Sequence, residues 1–423
     1  MILGILLSAL VIDGVNSSLT TNTRPPRNKL PSLNKAGIED SAESLEYKDF
    51  TSVDLIKANR HKRQHEQYCL LPCTNWGQSA CITYIARKLR EVGAIILGKT
   101  NPSQWGHFRS FNISNGWSTR GGQTYGPYFP RQDPSGSSSG SAVASTLGLA
   151  TVFLGAGPSG SIIARSHFNS VVGMKPTVGL ISRHLVVPVS EHMDTIGPMT
   201  KTVKDVAYVF QSIAGVDPHI TIPLRSCMEL TWTLSMPGAI IENTDFPTAQ
   251  ESIDNGLLTV QVVAADFGVV VEKYLDLLVY NPHNIIDLPD LREWTQSRPL
   301  EGCQNKPTNV WDAALQNWSN ADYECWRTYQ RAPYWGNEGG LLGVFERYKL
   351  EAVILPFLFL GTGLVLLVRL LYMNWFDFSF LGEKFTDAKL IGLAYAFEQR
   401  TMNRKTSEKI LGKAHVINSE QGG

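Results

Sequence analysis

From Ile82 to Val92 apolar residues recur at helical spacing and stop at Gly93, after which Ala94-Ile95-Ile96-Leu97 is a continuous apolar run closed by Gly98. The first pattern predicts a helix and the second a short buried strand. Ala142 to Leu149 repeats the helical pattern and leads into the strand-like Ala150-Thr151-Val152-Phe153-Leu154. Thr51 to Ala58 predicts a further helix, with Thr51 or Ser52 as its N-cap and Asp54 near the positive end of its dipole. Near the end, Phe378-Ser379-Phe380-Leu381-Gly382 reads as a short strand, and Leu390 to Gln399 carries a helical apolar stripe. Alternation of helices with buried strands predicts an α/β domain in layers.

The stretch 220–350 is less regular and richer in tryptophan and proline, with helical segments at Val269 to Leu278 and Trp311 to Trp318. It is expected to cover the sheet. Thr20 to Ala42 is polar, interrupted by Pro25, Pro26 and Pro31, and reads as a lead-in. The expected organisation is a signal-like and flexible lead-in over 1–45, one domain over 46–402 and a polar tail over 403–423. Two apolar runs need separate treatment. Ile2 to Ile12 has signal-peptide length but lacks a basic n-region and a clean cleavage site, so export stays an open expectation. Ala352 to Val368 is uncharged and apolar; its seventeen residues, broken by Pro356, Gly361 and Gly363, favour a core strand over a membrane span, which wants about 20.

Composition narrows the partners. The 38 basic residues balance 38 acidic ones, so no global field attracts nucleic acid or an anionic membrane, and neither partner is expected. The six cysteines are spaced for neither a disulfide scaffold nor a zinc site, and no metal or cofactor is expected.

Two small-residue tracts carry candidate chemistry. Ser135-Gly136-Ser137-Ser138-Ser139-Gly140-Ser141 reads in isolation as a flexible linker, yet a helix and a buried strand follow at once, which suits a tight turn presenting N–H groups and hydroxyls. Gly155-Ala156-Gly157-Pro158-Ser159-Gly160-Ser161-Ile162 follows that strand directly, where α/β sheets place binding loops; it is either an ordinary strand-to-helix turn or a nucleophile with its oxyanion donors.

In order and spacing the two tracts resemble the loops of the amidase signature, Gly-Gly-Ser-Ser-Gly-Gly-Ser followed by Gly-Thr-Asp-x-Gly-Gly-Ser-Ile. Gly121-Gly122-Gln123-Thr124, Val172-Gly173-Met174-Lys175-Pro176-Thr177-Val178-Gly179 and Asp194-Thr195-Ile196-Gly197-Pro198-Met199 are similar to family landmarks, as is Ser379-Phe380-Leu381-Gly382 with the helix beyond it. The resemblance covers about residues 80–220 and 376–402. It implies a central mixed β-sheet between α-helices and hydrolysis of a small carboxamide or ester through a Ser, cis-Ser, Lys triad. By motif position Ser161 would be the nucleophile and Ser137 the bridging serine after a cis peptide at Gly136. The N–H groups of Ser159, Gly160 and Ser161 would face the oxyanion.

The chain departs from that pattern at the base. The family's lysine follows a tract like Gly-Ile-Pro-Ile-x-Val-Lys-Asp, which has no counterpart here, and only about fifteen residues separate Gln64 from Ala80 where relatives place an extra strand. Lys57 and Lys62 lie on a polar segment and read as solvated charges, whereas a useful base must be desolvated to stand neutral near pH 7. Lys99 matches a different landmark. The usual threonine and acidic residue of the nucleophile loop are Ala156 and Gly157, and Pro158 has no N–H. Loss of one oxyanion donor costs about 3 to 4 kcal/mol of transition-state stabilisation. The expectation is a weak or inactive hydrolase; its rivals are a non-catalytic amidase-like binding protein and a mis-spliced product of an active gene. The sequence does not name a substrate.

Overall fold

The computed structural model describes residues 37–40, 83–110, 112–215, 241, 246–316, 319–336, 338–356 and 378–401, together with strands at 6–7, 70–71, 78–79 and 369–373. The expected helix over Thr51 to Ala58 lies outside these residues, as do Lys57 and Lys62.

Seven strands form the central sheet: β1 (Leu6–Leu7), β2 (Val152–Gly157), β3 (Val172–Lys175), β4 (Thr195–Thr200), β5 (Val353–Pro356), β6 (Arg369–Met373) and β7 (Phe378–Gly382). Their spatial order is β1-β2-β4-β3-β6-β7-β5, and each described pairing is antiparallel. The helices are α1 (Tyr84–Glu91), α2 (Ser139–Thr146), α3 (Gly160–Phe168), α4 (Val203–Ile213), α5 (Gly256–Asp276), α6 (Leu288–Gln296), α7 (Asn309–Gln316), α8 (Tyr323–Gly336), α9 (Leu341–Tyr348) and α10 (Asp387–Thr401), of which α1 to α4, α9 and α10 pack in the clusters that cover the sheet. This is the α/β layering expected, although the described strands pair antiparallel throughout where a mixed sheet was expected.

Alternation along β2 divides the core. Val152, Leu154 and Ala156 pack with residues of α1, α4 and α10, whereas Phe153 points to the opposite face among residues of α2, α3 and α9. A third cluster joins α5, α6 and α7 to Val189 and Met193 of the loop before β4, with Trp105 and Phe108 against it. The helices over 256–316, expected to cover the sheet, therefore bring their own core, whereas α9 packs on the sheet with α2 and α3.

Two expected elements differ. Ala94 to Leu97 is not a ladder strand: Ala94 is buried, Ile96 packs against the core and makes an isolated β-bridge, and the ladder falls at Lys99–Thr100, opposite Leu70–Leu71. Burial and ladder pairing are separate requirements, and an apolar run signals only the first. The run from Ala352 begins as β5, paired with β7 from Val353 to Pro356, and its remainder over 357–368 lies outside the described residues. No helix among the described residues is long and apolar enough to cross a membrane.

Arg109, fully buried, fastens the third cluster to the loop over 101–124. Its guanidinium donates to the Glu301 carboxylate at 2.6 Å and to the carbonyls of Glu301 and Lys306 at 2.8 Å each, and the same carboxylate accepts from Gln104 and Thr119. A cation in that position is stable only while its carboxylate remains. Glu301→Ala is expected to lower unfolding stability by about 3 to 5 kcal/mol in urea titrations. A loss well below about 1 kcal/mol would show that the pair does not carry the junction.

Candidate active site

The last turn of β2 and the first turn of α3 form the floor of the site. On the β2 face that holds Phe153, the next two positions are Gly155 and Gly157. A Cβ at Gly155 would stand 2.9 Å from Ser138 Oγ, and one at Gly157 would stand 2.5 Å from Ser161 Cβ and 2.7 Å from its Oγ. Gly157 also has φ 148, a backbone region open to glycine. Side chains at these positions would fill the space the serine loops occupy.

The first loop locks onto the same strand. Ser138 Oγ donates to Ala156 O at 3.2 Å and accepts from Ala156 N at 3.1 Å, and Ser141 Oγ donates to Leu154 O at 2.7 Å. Ser138 N reaches Ser161 O at 3.3 Å, and Ser103 N reaches Ser137 O at 2.9 Å. The Gly136–Ser137 peptide is cis. Packing is close behind it, because a Cβ at Gly140 would lie 2.6 Å from Asn101 N.

These contacts place Ser137 and Ser161 on adjacent loops, where a single methyl at Gly157 would meet Ser161 Oγ at 2.7 Å and Ser137 Oγ at 3.9 Å. Ser161 is partly exposed in the first turn of α3, with Ser159 as N-cap and Gly160 beginning the helix. No side chain caps this end. The N–H groups of Ser159, Gly160 and Ser161 thus lie where the helix dipole favours negative charge. Ser137 Oγ is buried and makes no hydrogen bond, so no lysine among the described residues donates to it.

Opposite Gly157 in the ladder is Thr195 of β4, whose Oγ1 is also buried and unpartnered. Its neighbour Asp194 accepts from Val189 N at 2.7 Å and Ser190 N at 3.0 Å, yet burial pushes its carboxyl up to about 6. On the same loop Ser190 and His192 both bond to the buried Asp266 of α5, His192 Nδ1 at 2.9 Å. Glu191, His192 and Asp266 bring ligand atoms within 4.8 Å of one another, the spacing of a metal site. Their lone pairs are already engaged, however, Asp266 by Ser190 and His192, and Glu191 by Lys273 and Asn320. With Lys273 paired to Glu191, the cluster is balanced from within.

A family model described as Amidase matches residues 81–250. A protein of Arthroderma benhamiae named as an amidase is 38% identical over 394 residues, covering 77% of this chain and 66% of the relative. The Arabidopsis thaliana protein At4g34880, also an amidase by name, is 32% identical over 367 residues, covering 76% of this chain and 70% of the relative.

The chain belongs to the amidase-signature family.

It spans about two thirds of the length of these two relatives. Among solved structures, the peptide amidase of Stenotrophomonas maltophilia superposes with a TM-score of 0.66 at 26% identity, over 83% of this chain and 88% of that one. Within this amidase-signature chain, sequence reasoning singled out Ser137, Ser159, Gly160 and Ser161, and the fold brings all four to one place. It passed over Thr195 as a side chain, the Ser190–His192–Asp266 cluster and Arg165. The cluster links a loop to a helix more than 70 residues away, which no local pattern reveals; Arg165, four residues after Ser161 on a helix, was accessible to periodicity alone.

Two outcomes follow from the geometry. Gly157→Ala should slow covalent labelling of Ser161 by a fluorophosphonate at least about tenfold, because a methyl 2.7 Å from Oγ must displace it; unchanged labelling would contradict the close approach. The hydrogen bond to Asp266 raises the pKa of His192. A raised histidine pKa contributes stability that is full below the unfolded value of about 6.5 and is lost as pH rises through the folded value. His192→Gln should therefore flatten the decline in stability above about pH 6.5, read by urea melts across that range. An unaltered slope would remove His192 as its source.

Proposed function

We propose that this chain holds a small carboxamide or ester with its carbonyl carbon at Ser161 and its oxygen toward the N–H groups of Ser159, Gly160 and Ser161, and turns it over weakly. The reaction would be attack by Ser161 Oγ, an acyl-enzyme on that oxygen, and hydrolysis of the acyl-enzyme by water. Ser137 would pass the nucleophile's proton onward. The observation that carries the reading is the buried, unpartnered Ser137 Oγ beside Ser161. A relay needs an acceptor at its far end, and without one Ser161 keeps an ordinary hydroxyl pKa and attacks slowly. Pro158, lacking an N–H, narrows the donor set on the same transition state, so the two losses need not add.

The same orphaned hydroxyl supports a second reading, a non-catalytic protein that binds amides in this groove. Steady-state assays on simple amides and aryl esters separate the two. Turnover is expected about 10²- to 10⁴-fold below that of a relay with a working base. Residual esterase activity should vanish in Ser161→Ala and persist in single lysine-to-alanine variants over residues 55–100. Robust amide turnover lost in one lysine variant would reveal a base and an ordinary amidase, whereas esterase activity indifferent to Ser161 would favour the binding protein. A genomic reading frame with an exon missing from this sequence before Tyr68 would identify the chain as a mis-spliced product of an active amidase gene.

A further inference from the structure

Main-chain bonds hold the serine tract on both sides of Ser137. Ser103 N donates to the Ser137 carbonyl at 2.9 Å, and the next residue, Ser138, donates from N to Ser161 O at 3.3 Å. The second bond ties the tract to the nucleophile, while the first begins a circuit that returns to the tract. Ser103 Oγ accepts from Gly116 N at 2.8 Å. Beside Gly116, Asn115 Nδ2 donates to Asp133 Oδ2 at 3.0 Å, and Asp133 Oδ1 accepts from Ser135 N at 2.7 Å. Ser135 precedes Ser137 by two residues, so these bonds and the chain between them close a ring.

Gly136 lies inside the ring. A Cβ there would stand 2.5 Å from Ser103 Oγ and 2.3 Å from Asn115 Oδ1, so the ring closes too tightly for a side chain. Ser103, Gly116, Ser135 and Ser137 are buried, and a bond lost among them leaves a backbone group without water to replace it. Asp133 is exposed, yet its carboxylate takes one N–H on each oxygen and so bridges the turn at Asn115 to the tract through charge-assisted bonds. Two further bonds brace the ring from outside. Gly140 N donates to Asn101 O at 3.0 Å, and Gln104, the neighbour of Ser103, donates to the Glu301 carboxylate at 2.9 Å. The main chain at Ser137 is thereby fixed from the ring on one side and from Ser161 on the other, and the hydroxyl inherits its direction from that main chain.

We propose that Ser103 and Asp133 are positioning residues for Ser137, acting through this ring to hold its hydroxyl toward Ser161. Neither touches the substrate or the reacting atoms. The inference rests on the reading of Ser137 as the residue that passes on the proton of Ser161, and it assigns two side chains, one of them at the surface, to the accuracy of that step.

The test is a double-mutant cycle on the full chain, read as the limiting rate and the half-saturating concentration of Ser161 labelling by a fluorophosphonate. Ser137→Ala is the reference and should slow the limiting rate. Ser103→Ala and Asp133→Ala should each slow it about tenfold at an unchanged half-saturating concentration, since misplacing a reacting group by about 1 Å can cost about 100-fold. With Ser137→Ala already present, neither should slow it by more than about twofold, because the group they position is gone. Equal slowing in both backgrounds would show a merely structural role and overturn the proposal, as would an unchanged limiting rate in either single variant. Should Ser103→Ala not fold by near-ultraviolet circular dichroism, the cycle on the exposed Asp133 decides alone. The two readings fail differently. Labelling indifferent to Ser137→Ala rejects the relay and the positioning with it, while labelling slowed by Ser137→Ala but by neither ring variant rejects the positioning and keeps the relay.

Discussion

Everything at the site depends on how near two serine loops come to one strand. Phe153 fills the core on one face of β2, and the next residues on that face, Gly155 and Gly157, offer no side chain at all. Ser138 and Ser161 occupy the space so released. Because Ser138 and Ser141 bond to the main chain of Ala156 and Leu154, the first loop is referenced to β2 rather than to solvent. The first turn of α3 is referenced to the same strand through the tight turn that joins them. Two loops sharing one rigid reference hold their hydroxyls in fixed relation, which is what positioning chemistry needs.

What that frame supports is asymmetric. On the proposed reading the oxyanion side has the N–H groups at the start of α3, where Ser159 makes no side-chain cap, though Pro158 narrows the donor set. The proton-transfer side is open, because Ser137 Oγ has no acceptor among the described residues. An amide demands more of the missing half than an activated ester does, as its leaving group must be protonated while an aryloxide departs unaided. The proposed weak turnover is therefore a statement about amides above all.

The layered α/β architecture was legible because its signals are local. The helix after the first serine tract and the strands at β2 and β7 follow from periodicity and small-residue punctuation, and Ser137 and Ser161 from motif position. Ala94 to Leu97 misled for a physical reason: it is apolar and contributes to the core but pairs only through a single bridge at Ile96. The Arg109–Glu301 pair and the His192–Asp266 pair join residues 192 and 74 positions apart, and neither end looks unusual in its own neighbourhood. Arg165 drew no notice in the sequence; the packed neighbours of α3 show its Nε buried without a hydrogen bond and its Nη1 on Gly160 O.

The central proposal is that Ser161 is placed for attack while Ser137 has no base among the described residues, and time-resolved intact-mass measurement with p-nitrophenyl acetate tests it most directly. The proposal predicts a single acetyl adduct that peptide mapping places on Ser161, forming slowly and outlasting its formation because hydrolysis of the acyl-enzyme needs the same proton acceptor. Its formation should accelerate smoothly with pH, with no plateau from a titrating lysine. An adduct on another residue, or rapid acylation and deacylation levelling off at a defined pKa, would contradict it.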